Sequence, residues 1–215
     1  MIECLFLDTD EKRYFAPAAR ELIAEIAHAA EIEIRAWLPD LPATLQLAVQ
    51  TGEYVIPETG EVGAALSKHR VRWVVDPARR GGIEAIARAR LRSALHHELH
   101  HVVRGWLMEA SVPARMIDAA VSEGLATAFE RDAAGSRPLW GEYPPAVSGW
   151  VRELQQLPRT AHYQTWMLKH PDGRRWIGYR AGTYIADRAI AHSGRSAAEL
   201  VHAPADELLA LARLE

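Results

Sequence analysis

The chain is predicted to be an α+β protein, with a small mixed sheet and one helix first and a mostly helical part after it. Three observations predict this. Short alternating or apolar runs crowd the first 80 residues and are broken by Pro and Gly. From residue 83 onward, long stretches of helix formers recur with few breakers. The chain has 215 residues, 49% hydrophobic and 25% charged, which is ordinary for a globular protein able to bury a sizeable core. A single domain over 1–215 is expected, with 1–80 forming the sheet and 81–215 the helices.

The elements follow in order. Residues 2–8 form an apolar run that reads as a strand. Ala16 to Ala30 reads as a helix, because Pro17 suits a first turn and Leu22, Ile23, Ile26 and Ala30 recur at helical spacing. Ile32 to Trp37 alternates and is expected to be a second strand, ended by Pro39 and Pro42. Thr44 to Gln50 alternates again and closes at Thr51-Gly52. Pro57, Gly60 and Gly63 suggest a loop over 53–70 with a short extended piece. Val71 to Val75 is a further strand, stopped by Asp76-Pro77. Then Ile83 to about Trp106 contains no Pro, and no Gly before Gly105, so one long helix is expected. Ser111 is a candidate cap for a helix over 114–134. Helices over 145–157, 160–169 and 177–193 and two short ones over 196–213 complete the chain.

Composition narrows the function classes. Net charge is −3 with no basic block, so neither nucleic acid nor an anionic membrane is an expected partner. No apolar run reaches the ~18 residues of a membrane span, and the N-terminus lacks a signal-peptide pattern. Cys4 is the single cysteine and reads as a small buried hydrophobe, so a reducing cytoplasm is the default compartment. Five of the seven Trp fall in the second half, which suggests an aromatic core or cleft there.

The long helix carries His97-Glu98-Leu99-His100-His101, which fits H-E-x-x-H. Residues four apart share a helix face, so His97 and His101 can point at one metal ion with Glu98 beside its water. With 10 His and 19 Glu in the chain, the motif arises by chance in roughly 4% of such sequences, so a third ligand is needed to support it. On a regular helix, Leu91, Leu95, Leu99, Val102 and Trp106 form one apolar stripe. Ile83, Ile86, Ala94, His97 and His101 form an adjoining buried side. Arg92, His96 and His100 occupy the remaining face, which reads as solvent, so His96 and His100 are not expected to be ligands.

The third ligand is sought on the next helix. Glu123 sits about two turns in, off the stripe Ile117, Val121, Leu125, Ala128 and Phe129, and Gly124 beside it allows a close approach. Glu109 lies too near the turn, Asp118 falls toward the apolar stripe, and Glu130 is two turns further on. Zinc bound this way keeps one position for water, and Glu98 is the expected general base. A donor to the developing oxyanion is expected from Tyr179, ahead of Arg180, Tyr184, His162 and His170. Thr127 and Glu130 are candidates to accept hydrogen bonds from the ligand imidazoles.

Three segments carry a resemblance: His97 to Arg104, Val121 to Ala126, and Ile177 to Gly182. In this order they resemble a bacterial family of predicted zinc-dependent proteases, domain of unknown function 2268, with H-E-[YL]-H-H, S-E-G-L-A and a G-Y-x-x-G helix. The match spans roughly residues 70–215. More distantly the pair of helices is similar to gluzincins, in which a glutamate on the helix after H-E-x-x-H completes the site. The resemblance implies a zincin-like helical half and one zinc ion held by His97, His101 and Glu123. It also implies Glu98 as base and a peptide or unfolded protein as substrate. The G-x-M-E-N motif of aminopeptidases is absent, so recognition of a free amine is not implied. The Asp that thermolysin-like enzymes carry four residues past the ligand is replaced by Thr127. Two other readings stay open: a zinc-fold protein that binds a peptide or partner without turnover, and a zinc hydrolase of a non-peptide amide.

Overall fold

A computed structural model of the protein describes residues 1–7, 14–110 and 115–214. The fold is α+β, as expected, and its contacts gather into two compact units, Met1–Ala110 and Ser111–Glu215.

The first unit alternates before it turns helical. Strand β1 (Ile2–Leu7) is followed by α1 (Pro17–Trp37), β2 (Leu45–Thr51), β3 (Glu61–Ser67) and β4 (Arg70–Val75). The sheet is mixed, in the order β1-β2-β4-β3. β1 runs parallel to β2 and β2 to β4, while β3 pairs antiparallel with β4 through a tight hairpin and forms an edge. One face of the sheet carries Leu47, Val49, Val71, Trp73 and Val75, all buried. That face meets α1 and the helical run that follows β4. Trp73 donates its Nε1–H to the buried Glu61 at 3.1 Å, so the apolar layer holds one satisfied polar pair. Cys4 on β1 is free, and burial with Glu3 nearby pushes its thiol up to about 11, which makes it an inert packing residue.

Two expectations need correction here. The stretch 32–37 is not a strand but the last turns of α1. Ile32 and Trp37 are 61% and 53% exposed, and the buried stripe Ile23, Ala27, Ala30, Ile34 runs on at helical spacing. The alternation of Ile and charge was coincidental, and the Glu31–Arg35 ion pair at 2.8 Å, four residues apart, supports the helix. Burial disfavours charge on Glu31. Hydrogen bonds from the Met1 amine, the Ile2 N–H and Arg35 outweigh it and hold the carboxyl below its ordinary 4.5. The second correction concerns 53–70, where seven residues form the full strand β3 rather than a brief extended piece.

The long helix expected from 83 to 106 is three segments in one run. They are α2 (Gly82–Ile86), a π-helical turn (Ala87–Leu91) and α3 (Arg92–Arg104). A π turn holds one residue more than an α turn, so the residues after it are phased independently of those before it. Gly105, with φ +78, ends α3 in the left-handed region.

The second unit is helical: α4 (Met116–Ala134), α5 (Val147–Gln156), α6 (Tyr163–Met167), α7 (Ile177–Ser193) and α8 (Ala205–Ala212). Ser111, the expected cap of α4, lies outside the described residues. At the start of α4, Asp118 accepts the Arg115 N–H at 2.9 Å. The two short helices expected over 196–213 are one helix and a series of turns. α4 and α7 pack most closely, through Gly124 and Gly182. A methyl added at Gly124 would run into the backbone of Gly182, and one at Gly182 into the carbonyl of Ala120. The close approach that Gly124 was expected to permit is therefore with α7. Trp140, Trp176 and Tyr179 form an aromatic cluster with ring centroids 5.6–6.3 Å apart, as the Trp distribution suggested. No helix among the described residues is long and apolar enough to cross a membrane.

Candidate metal centre

Every residue of α3 from Leu95 to Val102 is buried, so this helix has no solvent face at the motif. His96 and His100 are 0% exposed, against the expectation of a solvated side. The reason lies in α1. Because 32–37 is helical, α1 runs alongside α3 and covers the face that was read as open. His96 donates Nδ1–H to the Arg92 carbonyl at 2.8 Å and turns Nε2 toward Glu33 of α1 at 3.6 Å. That arrangement is structural, in keeping with the expectation that His96 is not a ligand.

His97 and His101 behave differently. Their Nε2 atoms lie 3.1 Å apart, and the rings stand edge to face with centroids 4.7 Å apart. Two imidazoles fanned around a shared point is what one ion requires. At Zn–N of about 2.05 Å, neighbouring donor atoms of a tetrahedron are ~3.3 Å apart. In the second unit, Glu123 is buried on α4, and the Tyr163 hydroxyl donates to its Oε1 at 3.3 Å. One ligand atom from each of His97, His101 and Glu123 lies within 4.8 Å of the others, and all three residues are buried. Among the described residues, Glu98, Glu109, Asp118 and Glu130 are not in that group. Two nitrogens and one carboxylate oxygen suit zinc and leave a position for water.

The other candidates are engaged elsewhere. Asp118 caps α4, Glu109 is exposed, and Glu130 accepts the Ser136 hydroxyl at 3.0 Å. The Thr127 hydroxyl is buried with no hydrogen-bond partner, so the expected bond to an imidazole is not made. Among the expected oxyanion donors, His170 pairs with Asp172 at 2.9 Å in a turn beside Trp166, and His162 faces Thr165. Tyr184 stacks edge to face on Tyr143. Tyr179 packs its ring on Trp140 and Trp176. Sequence reasoning missed Tyr163, the phenol that reaches Glu123. It stands in a five-residue helix with no motif around it, so no signal singled it out.

Glu98, 9% exposed, lies with its side chain against Gly63 of β3. The motif glutamate is thus seated under the edge strand.

Two imidazoles and a carboxylate gathered in an α+β chain define a candidate zinc centre with three side-chain donors. The chain belongs to a family described as Predicted Zn-dependent protease (DUF2268), whose model matches residues 23–210. That range takes in α1 and the last three strands, and so exceeds the motif-bearing stretch from residue 70. No curated protein and no solved structure matches the chain.

Proposed function

We propose that the protein is a zinc metallopeptidase in which His97, His101 and Glu123 hold one zinc ion and Glu98 is the general base. The observation that carries this reading is the grouping of those three buried ligands, with the glutamate of the same H-E-x-x-H run beside them in sequence. Zinc, when bound, supplies Lewis acidity and a water of pKa about 7. The protein's own groups do the rest. Glu98 takes a proton on a carboxylate oxygen as water attacks the carbonyl, then passes it to the leaving amine. Burial of Glu98 keeps bulk water from competing for that proton. The Tyr163 hydroxyl holds one oxygen of Glu123 and orients the other toward the ion. Tyr179 is the proposed donor to the developing oxyanion.

A peptide is favoured over other amides by the strand beside Glu98. Along β3, the Glu61 carbonyl accepts the Ile56 N–H at 3.1 Å, and the Ala65 carbonyl accepts the Met108 N–H at 2.9 Å. Both point away from β4. Gly63, midway and in the same phase, therefore turns its N–H and C=O to that outer edge. An extended backbone pairing there would lie next to Glu98.

The test is metal analysis with a peptide-library digest of wild type and Glu98→Gln. We expect one zinc per chain in both, cleavage by wild type, and a loss of about 10³-fold or more in kcat for the variant. Equal cleavage by both would remove Glu98 from the mechanism. Zinc without turnover on the whole library would instead identify a peptide-binding module.

A further inference from the structure

Gly63 stands in the middle of an edge strand, where glycine is a poor choice. It packs no side chain and loses more conformational freedom on folding than any other residue. Its backbone does not require glycine, since it is absent from the residues with positive φ. What does require it is space. A Cβ built on Gly63 would lie 2.6 Å from Glu98 Oε1, 2.7 Å from its Cγ and 2.9 Å from its Cδ. The carboxylate and stem of Glu98 occupy the volume that any other residue would fill.

The two supports of this contact are rigid. Opposite Gly63 on β4 is Trp73, buried and tied to Glu61. On the other side, Leu95, Leu99 and Val102 anchor α3 in the core. Neither strand nor helix has slack, whereas the Glu98 side chain ends in rotatable bonds. A methyl at Gly63 would therefore move the carboxylate and leave the fold in place.

We propose that Gly63 is a positioning residue that seats the Glu98 carboxylate against the β3 backbone. The role in catalysis rests on Glu98 being the base. A misplacement of about 1 Å in a catalytic group can lower a rate by ~10²-fold. Gly63→Ala should therefore fold, bind zinc stoichiometrically and keep KM within about threefold, while kcat falls by ~10²-fold. In a Glu98→Asp background the shorter carboxylate has room, so the same substitution should lower kcat by a much smaller factor.

The contact itself is read without activity, by a double-mutant cycle of Gly63→Ala and Glu98→Ala on the urea midpoint. With Glu98 present, Gly63→Ala should lower the midpoint. With Glu98→Ala, it should raise it, because the clash is gone and a better strand residue remains. Additive midpoints overturn the seat, whatever the activity. Coupled midpoints with an unchanged kcat in Gly63→Ala overturn the positioning role. Coupled midpoints in a protein whose wild type cleaves nothing support the seat and remove the hydrolytic reading of Glu98 instead.

Discussion

The α4–α7 crossing makes a prediction whose sign is opposite to that of ordinary helix substitution. Replacing a glycine inside a helix with alanine stabilises by up to ~1 kcal/mol when nothing opposes it. At Gly124 the new methyl meets the backbone of Gly182, which has no rotamer to change. Carbon atoms need about 3.5 Å, so the helices must part along a buried crossing. Overpacking typically destabilises by 1–3 kcal/mol, and a backbone-on-backbone contact belongs at or above the top of that range. Offsetting about 3–4 kcal/mol by about 1 leaves a net loss of ~2–3 kcal/mol for Gly124→Ala. Gly149 in α5 is the control, since a methyl there meets nothing within 4 Å. Urea unfolding of both variants measures the difference. Gly124→Ala should fall well below wild type, and Gly149→Ala should equal or exceed it. The neighbouring Glu123 should shift as well, so zinc affinity in Gly124→Ala should drop by about tenfold or more. Should the two variants unfold at the same urea concentration, the Gly124–Gly182 crossing is wrong.

Three further outcomes follow from other residues. Thr127→Val removes a buried hydroxyl that has no partner and keeps the shape, so stability should hold or rise by up to ~1 kcal/mol. Its zinc affinity, measured by competition with a chromophoric chelator, should stay within about twofold, and a 10–100-fold loss would show that the hydroxyl supports a ligand after all. Glu31 has a carboxyl pKa held below its ordinary 4.5 by its donors. Its stabilising effect is therefore complete above that value and is lost as pH falls through the folded pKa. Thermal melts from pH 7 to pH 3 should show Glu31→Gln below wild type at neutral pH, with the gap closing in acid. Finally, saturating zinc should raise the unfolding free energy of wild type, by ~2.7 kcal/mol at one hundred times Kd. His101→Ala should show little of that rise in the same titration.

Much of the site was legible because its chemistry is local. A glutamate directly after one histidine, with a second histidine four residues on, needs only helix geometry to make a ligand pair and a base. Glu123 was harder, and emerged from its place off the apolar stripe beside a glycine. The role of that glycine was misjudged, since a missing side chain says that something comes close without saying what. His96 and His100 were misread for a related reason. Six residues of α1 with accidental alternation were taken for a strand, which removed from view the helix that covers them. Strand β3 was obscured by its own Gly60 and Gly63, which look like loop residues in sequence. Tyr163 was invisible, because a lone phenol reaching a carboxylate from forty residues away leaves no periodic trace.

The π turn at Ala87–Leu91 gives the run two separate registers on one axis. Deleting a single residue there would restore a plain α-helix and shorten the run by only ~1.5 Å, yet turn everything beyond it by about 100°. Glu98 would swing out from under Gly63 and both ligand histidines would face elsewhere. The extra residue acts as an indexing pin: the chain can vary the helix before it without disturbing the aim of the one after.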